Sequence, residues 1–170
     1  SLTLKHPARC YHPEFTYAGR NGYSALLALA APGTYDLVSL QLYETYSLAN
    51  CALTAHSENP GAYLRGLVEK LGGGWRVDFE LEPSLGLPNQ TVSVAPSQLL
   101  IGLANGWAAP AGGKALYLSA DTLWKAWSSS LESLSLRGFM FWVIEEEGRV
   151  VGGAPVYLSS VLNRMLRTRA

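Results

Sequence analysis

Charge is what this chain has least of. Only 15% of its 170 residues are Asp, Glu, Lys or Arg, against about a quarter in an ordinary soluble domain. A shortage of that size points to much of the surface being covered, either by a partner or by a further part of the same fold. The charge that is present cancels, thirteen basic residues against thirteen acidic ones. No net field is left to draw in nucleic acid or an anionic membrane surface. Long apolar runs are missing too: none reaches the roughly 18 residues of a membrane helix, so no membrane span is expected. Histidines number three and cysteines two. His6, His12 and His56 lack metal-ligand spacing and have no cysteine partners at it, which argues against a zinc site. The Gly-rich stretches match neither a phosphate loop nor a dinucleotide turn, and Ser128-Ser129-Ser130 carries no nucleophile elbow, so no cofactor is called for. The start, Ser1-Leu2-Thr3-Leu4, has no signal-peptide character and no initiating Met, and reads as that of a mature or trimmed chain.

What is present suffices for one domain over residues 1–170, with 48% apolar residues to build its core. Leu2 to Lys5 is a short strand candidate, followed by an aperiodic loop from His6 to Arg20. Asn21 caps a helix whose apolar residues include Tyr23, Leu26, Leu27 and Ala30, and Pro32-Gly33 ends it. Tyr35 to Tyr43 reads as a strand and Thr45 to Glu58 as a long loop. Asn59-Pro60 then starts a helix with one apolar face, Tyr63, Leu64, Leu67, Val68 and Leu71. Trp75 to Glu82 and Thr91 to Ala95 alternate and form a hairpin. Leu99 to Leu103 is a strand, Asn105 to Tyr117 a Gly-, Ala- and Pro-rich loop. A helix from Ser119 or Asp121 places Leu123, Trp124, Trp127 and Leu131 toward a core. Phe139 to Ile144 is the last strand, and Pro155 to Leu166 the last helix. Strands alternating with helices favour an α/β arrangement with a parallel sheet.

Two strands stop abruptly at groups that suit a binding site. Tyr35 to Glu44 ends in Gln41-Leu42-Tyr43-Glu44, and Arg137 to Glu147 carries Gly138-Phe139-Met140-Phe141-Trp142 before a run of acids. A buried parallel strand reads this way when its C-terminal end opens into a site. An aromatic floor, a phenol and an amide or carboxylate are what a sugar site needs. Together these motifs resemble those of glycoside hydrolase family 18, the chitinases. In that family the sixth barrel strand ends in a Gln-x-Tyr-Asn or Met-x-Tyr-Asp type motif and the eighth in Gly-Val-Met-x-Trp. Leu2-Thr3-Leu4 resembles its fifth strand, and Gln98-Leu99-Leu100-Ile101-Gly102-Leu103 its seventh. The likeness covers nearly the whole chain, in the family's order.

The resemblance implies the C-terminal half, strands 5–8, of a (β/α)8 barrel, with a β-hairpin inserted before strand 7. A whole barrel takes about 250 residues. The family's acidic signature, Asp-x-x-Asp-x-Asp-x-Glu, belongs to the fourth strand and lies before the matched region. The implied partners are chitin or an N-acetylglucosamine oligosaccharide, and an N-terminal half barrel or partner subunit that supplies the acid. Tyr43 would hold the substrate's acetamido group, which is itself the nucleophile in the family's substrate-assisted retaining mechanism, an exception to the two-carboxylate scheme. Glu44, where the family has Asn or Asp, would orient that group and stabilise the developing positive charge. Gln41 would bond the sugar. Trp142 would be the floor of the central subsite, its indole stacking on pyranose C–H groups. Met140 shares its face by strand alternation and would line the wall, and Trp107 is a further stacking candidate. The family's usual Pro is replaced by Ala104.

Two features bear on compartment. Asn89-Gln90-Thr91 is a glycosylation triplet in a Pro- and Gly-rich turn. Cys10 and Cys51 would follow the fifth and sixth strands, where neighbouring loops could bring them into disulfide range; two unpaired thiols are the alternative. With the resemblance, both favour a secreted or extracellular protein. Asp78-Phe79-Glu80-Leu81-Glu82 imitates the tail of the acidic signature. It stands after the sixth-strand motif, though, and its carboxylates alternate with apolar residues as the solvent side of a hairpin does. Glu145-Glu146-Glu147 reads as a solvated loop. A non-catalytic lectin or structural subunit that kept the barrel and lost the acid is the alternative to an enzyme.

Overall fold

A computed structural model describes residues 22–31, 33–44, 47–81, 83–109 and 115–168. The expected strand at Leu2–Lys5, the loop to Arg20, and His6, Cys10 and His12 lie outside the described residues. Cys51 is disulfide-bonded, and Cys10 is the only other cysteine in the sequence.

The chain is mixed α/β. Helix α1 (Gly22–Leu29) leads to strand β1 (Val38–Gln41). The expected loop after it is partly helical. Ser47 caps a short α2 (Leu48–Asn50), accepting from the Asn50 N–H at 3.0 Å, and the chain continues as a wider π-type turn over Cys51–Ala55. Helix α3 (Pro60–Gly73) begins as its sequence demands. The Asn59 side chain accepts from the Ala62 N–H at 3.0 Å, with Pro60 in the first turn, where its missing N–H costs nothing. Its buried face is the expected one, Tyr63, Leu64, Leu67, Val68 and Leu71. Gly74 stops it at φ +87°, a conformation in which a Cβ would meet the Thr91 Cγ2 at 2.7 Å.

Strands β2 (Trp75–Val77) and β3 (Gln90–Val92) form the antiparallel hairpin, Trp75 opposite Val92. It is shorter than the alternation suggests, because the chain tightens into a 3₁₀ turn at Phe79–Leu81. The alternation of burial persists across Trp75 to Glu80 even so, with Phe79 buried and Asp78 and Glu80 exposed. Strand β4 (Leu99–Ala104) follows, then α4 (Ala120–Ala126), which runs on as a π-type turn through Trp127–Leu131. Strand β5 (Gly138–Trp142), a two-residue-per-strand hairpin of β6 (Val150–Val151) and β7 (Ala154–Pro155), and α5 (Leu158–Arg167) complete the described chain.

Helix α1 turns differently from its apolar pattern. Tyr23 and Leu26 are exposed, while Ser24 is fully buried and accepts from the Trp75 indole N–H at 3.2 Å. A buried indole needs an acceptor for its N–H, and the inward serine supplies it.

β1, β4 and β5 form a parallel sheet in that order. Within this sheet the strands lie in chain order; the β1–β4 connection carries α2, α3 and the β2–β3 hairpin, and the β4–β5 connection carries α4. Alternation divides the sheet into two faces. Val38, Leu40 and Leu42, with Leu99, Ile101 and Leu103, and Phe139 and Phe141, join α3, α4 and α5 in one apolar core. Trp127 is at its centre, 5.7 Å from the Phe139 ring, its N–H donated to the Thr168 hydroxyl at 3.0 Å. The opposite face carries Ser39, Gln41 and Tyr43, then Leu100, Gly102 and Ala104, then Gly138, Met140 and Trp142. Leu100, Met140 and Trp142 stay outside the helix-backed core.

Candidate functional site

The register sets most of the expected site residues in two rows on that second face, at the C-terminal ends of the strands. Gln41 lies opposite Gly102, and Gly102 opposite Met140. Ala104 lies opposite Trp142, and Tyr43 follows Gln41 by two residues on the same face. The central strand thus contributes only Gly and Ala between an amide and phenol on one side and a thioether and indole on the other. Gly102 is required by space. A Cβ there would stand 2.7 Å from the Leu40 carbonyl oxygen and 3.2 Å from the Met140 methyl.

Gln41 is exposed and Met140 half-buried. Trp142 is 56% exposed, the most open of the five tryptophans. Glu44 is half-buried, and its carbonyl accepts from the Ser47 N–H at 2.9 Å where the chain turns into α2. Tyr43 is only 4% exposed. It belongs to a small apolar cluster with Ala104 and Ala108, against which Trp107, Ala115 and Tyr117 pack. The end of the β4–α4 connection, Ala115 to Tyr117, packs against it, with the Leu116 N–H donating to the Tyr43 carbonyl at 2.8 Å. Burial in this cluster raises the Tyr117 phenol above the ordinary 10.0.

Trp107 lies between the two strand ends. Its ring meets Tyr43 edge to face at 6.3 Å, and its indole N–H donates to the Trp142 carbonyl at 2.5 Å. It braces β1 against β5, so its ring edge and N–H are already engaged.

Two further residues were missed by sequence reasoning. Asn105, just past β4, is fully buried. Its amide N–H donates to the Val143 carbonyl at 2.7 Å, and its amide oxygen accepts from the Val143 N–H at 3.3 Å. The peptide joining Trp142 to Val143 is cis. Glu147 is not part of a solvated acidic run. Its carboxylate accepts from the Leu158 and Ser159 N–H groups, both at 3.1 Å, and from the Ser159 hydroxyl at 2.7 Å, so it caps α5 from a distance. Glu146 behaves as a surface residue, pairing with Arg149 at 2.8 Å. For Asn105 position supplied the one available signal, a polar residue directly after an apolar parallel strand.

The imitation signature at Asp78–Glu82 is remote in role. Among described residues, Asp78 accepts from the Glu80 N–H at 3.1 Å, and the Glu80 carboxylate accepts from the Asn89 amide at 2.9 Å, a turn-locking arrangement. Two surface depressions, of about 510 and 250 Å³, flank Trp124 on the helical layer, where Arg164 lies 3.7 Å over its ring. Neither reaches the strand ends. Among the described residues no group of three His, Cys, Asp or Glu side chains could hold a metal ion, and no helix is long and apolar enough to cross a membrane.

Comparison with family models, with curated proteins and with solved structures finds no match to this chain.

Proposed function

We propose that the strand-end face of the parallel sheet binds β-linked N-acetylglucosamine polymers, as part of a chitinase-like half barrel. One observation carries the reading. Gln41, Tyr43, Met140 and Trp142 share a face across a glycine- and alanine-floored central strand, with Trp142 open to solvent. An exposed indole beside an amide and a thioether, at the C-terminal edge of parallel strands, is suited to the apolar C–H face of a pyranose and its polar rim. The sheet is compatible with a half barrel: its three parallel strands lie side by side in chain order with the helix-backed core on one face, as successive strands of a singly wound barrel do. The open face would then be the barrel interior. In the hydrolytic form, Tyr43 and Glu44 position the acetamido group and an upstream segment outside this sequence supplies the acid. The setting would be secreted or extracellular.

A second reading, a non-catalytic lectin or structural subunit, is favoured by Tyr43. At 4% exposure, with Ala115 and Tyr117 packed against its cluster, its ring is committed to packing against Trp107. On this reading Trp142 and Gln41 bind sugar without hydrolysis.

The test is titration calorimetry with a chito-oligosaccharide on the parent and on Trp142→Ala, alongside a product assay. Binding lost in the variant supports the sugar site. Hydrolysis after addition of an acid-bearing segment selects the enzyme, and binding without hydrolysis selects the lectin. A parent that does not bind overturns both.

A further inference from the structure

Trp142 is exposed, and the backbone beneath it is heavily held. Its carbonyl accepts from the Trp107 indole at 2.5 Å and from the Asn105 N–H at 3.3 Å, and the next residue, Val143, has both backbone groups bonded to the Asn105 side chain. Asn105 is a fully buried polar residue, and a buried amide is retained only where its partners are supplied. Here both ends of the amide are answered by Val143, the residue just past β5. A second brace stands behind it. The Asn105 amide also lies 3.4 Å from a Glu147 carboxylate oxygen, and that carboxylate is fixed by three donors from the start of α5. A continuous chain of hydrogen bonds therefore runs from the first turn of α5, through Glu147 and Asn105, to the peptide on which Trp142 sits.

We infer that Asn105 is a positioning residue for Trp142, with Glu147 and Ser159 as its brace, setting the angle at which the indole meets a sugar. Asn105 touches no substrate on this inference, which rests on the sugar-site reading for its functional consequence. The residue type is specific to the task. Only a side chain with a donor and an acceptor at one end answers the N–H and C=O of a single residue. Asp would keep the acceptor, lose the donor to Val143, and put a second carboxylate beside Glu147. A site residue locked by supporting hydrogen bonds presents its ring at lower entropic cost than one on a free loop.

The experiment compares the parent, Asn105→Ala and Ser159→Ala by two readouts: chito-oligosaccharide affinity, and NMR of the Trp142 indole N–H together with hydrogen exchange at the Val143 amide. Asn105→Ala is expected to weaken binding about tenfold or more, the scale of one lost buried polar contact. It should also shift the Trp142 indole resonance and speed Val143 exchange, while the Leu64 and Leu67 amides of α3 keep their protection. Should Asn105→Ala fail to fold, Ser159→Ala, which removes only the exposed end of the brace, carries the test with smaller changes of the same sign. An unmoved Trp142 resonance with unchanged Val143 exchange overturns the inference, as does a loss of affinity matched by uniform loss of protection through α3. A parent that does not bind sugar overturns the sugar site alone, and the resonance and exchange data then decide whether Asn105 sets the Trp142 pose.

Discussion

The two faces of one three-stranded sheet are built on opposite rules. On the helix-backed face, Leu40, Ile101, Leu103, Phe139 and Phe141 are large, and they mesh with α3, α4 and α5 around Trp127. On the other face the central strand has only Gly102 and Ala104 near the strand ends, and the large groups stand at the sides, Trp142 in solvent. Volume on the first face is spent on cohesion. On the second it is withheld from the middle, and the space over Ala104 is filled by Tyr43, Trp107 and Ala108. The same β-alternation serves stability in one register and recognition in the next.

The sharpest way to break the comparison is to make the same change on each face. Trp127→Ala should cost about 3–5 kcal/mol of folding stability, the range for deleting a large buried ring, seen as a lowered denaturant midpoint. Trp142→Ala should stay within about 0.5 kcal/mol of the parent, as an exposed residue does, while sugar affinity falls. Equal losses at the two sites would erase the distinction. Gly102→Ala comes next, at about 1–3 kcal/mol, because its new methyl group meets the Leu40 carbonyl, which is backbone and cannot swing aside. Asn59→Ala, remote from both faces, should cost about 1 kcal/mol through loss of the α3 cap, and it should leave sugar binding untouched.

The smallest effect is in pH. Tyr117 has its phenol raised above 10.0 by burial. Below pH 10 the folded and unfolded chains both keep that proton, so stability is unaffected. Above it the unfolded chain releases the proton first, and stability falls until the pH passes the raised folded value, then levels off. Comparing the parent with Tyr117→Phe by absorbance titration and by denaturant midpoints from pH 9 upward checks both the direction and the residue (the variant should lose this part of the fall).

Much of the sheet was legible. Leu99 to Leu103 and Phe139 to Ile144 are apolar runs of a length only buried strands favour, and they recur as β4 and β5 with ends shifted by one or two residues. Asn59-Pro60 announced α3 because capping is local chemistry. The segment after β1 misled because α2 and its π-type continuation have no long apolar period; their helical form rests on the Ser47 cap and on burying Ala49 and Ala52. α1 misled in part: Leu27 packs against the core as expected, but Tyr23 and Leu26 are exposed and Ser24 is buried against Trp75, 51 residues away, a contact no local pattern shows. At the candidate site, strand alternation put Met140 on the face of Trp142, and the register sets Gln41 and Tyr43 on that face too. Alternation could not tell that Ala115 and Tyr117, from a distant connection, would pack against the Tyr43 cluster, or that one glutamate of three would cap a helix.

The uneven placement of the tryptophans has an optical consequence. Trp75 and Trp127 are buried, Trp107 and Trp124 half-buried with close neighbours, and Trp142 stands in water. Emission from the first pair should be blue-weighted and shielded from iodide, while the last should emit furthest to the red and be quenched first. The chain therefore carries its own two-colour reporter. A ligand laid on Trp142 should trim the red edge of the spectrum, whereas unfolding should pull the blue edge across to meet it, and a single cuvette can tell occupancy from denaturation without a label.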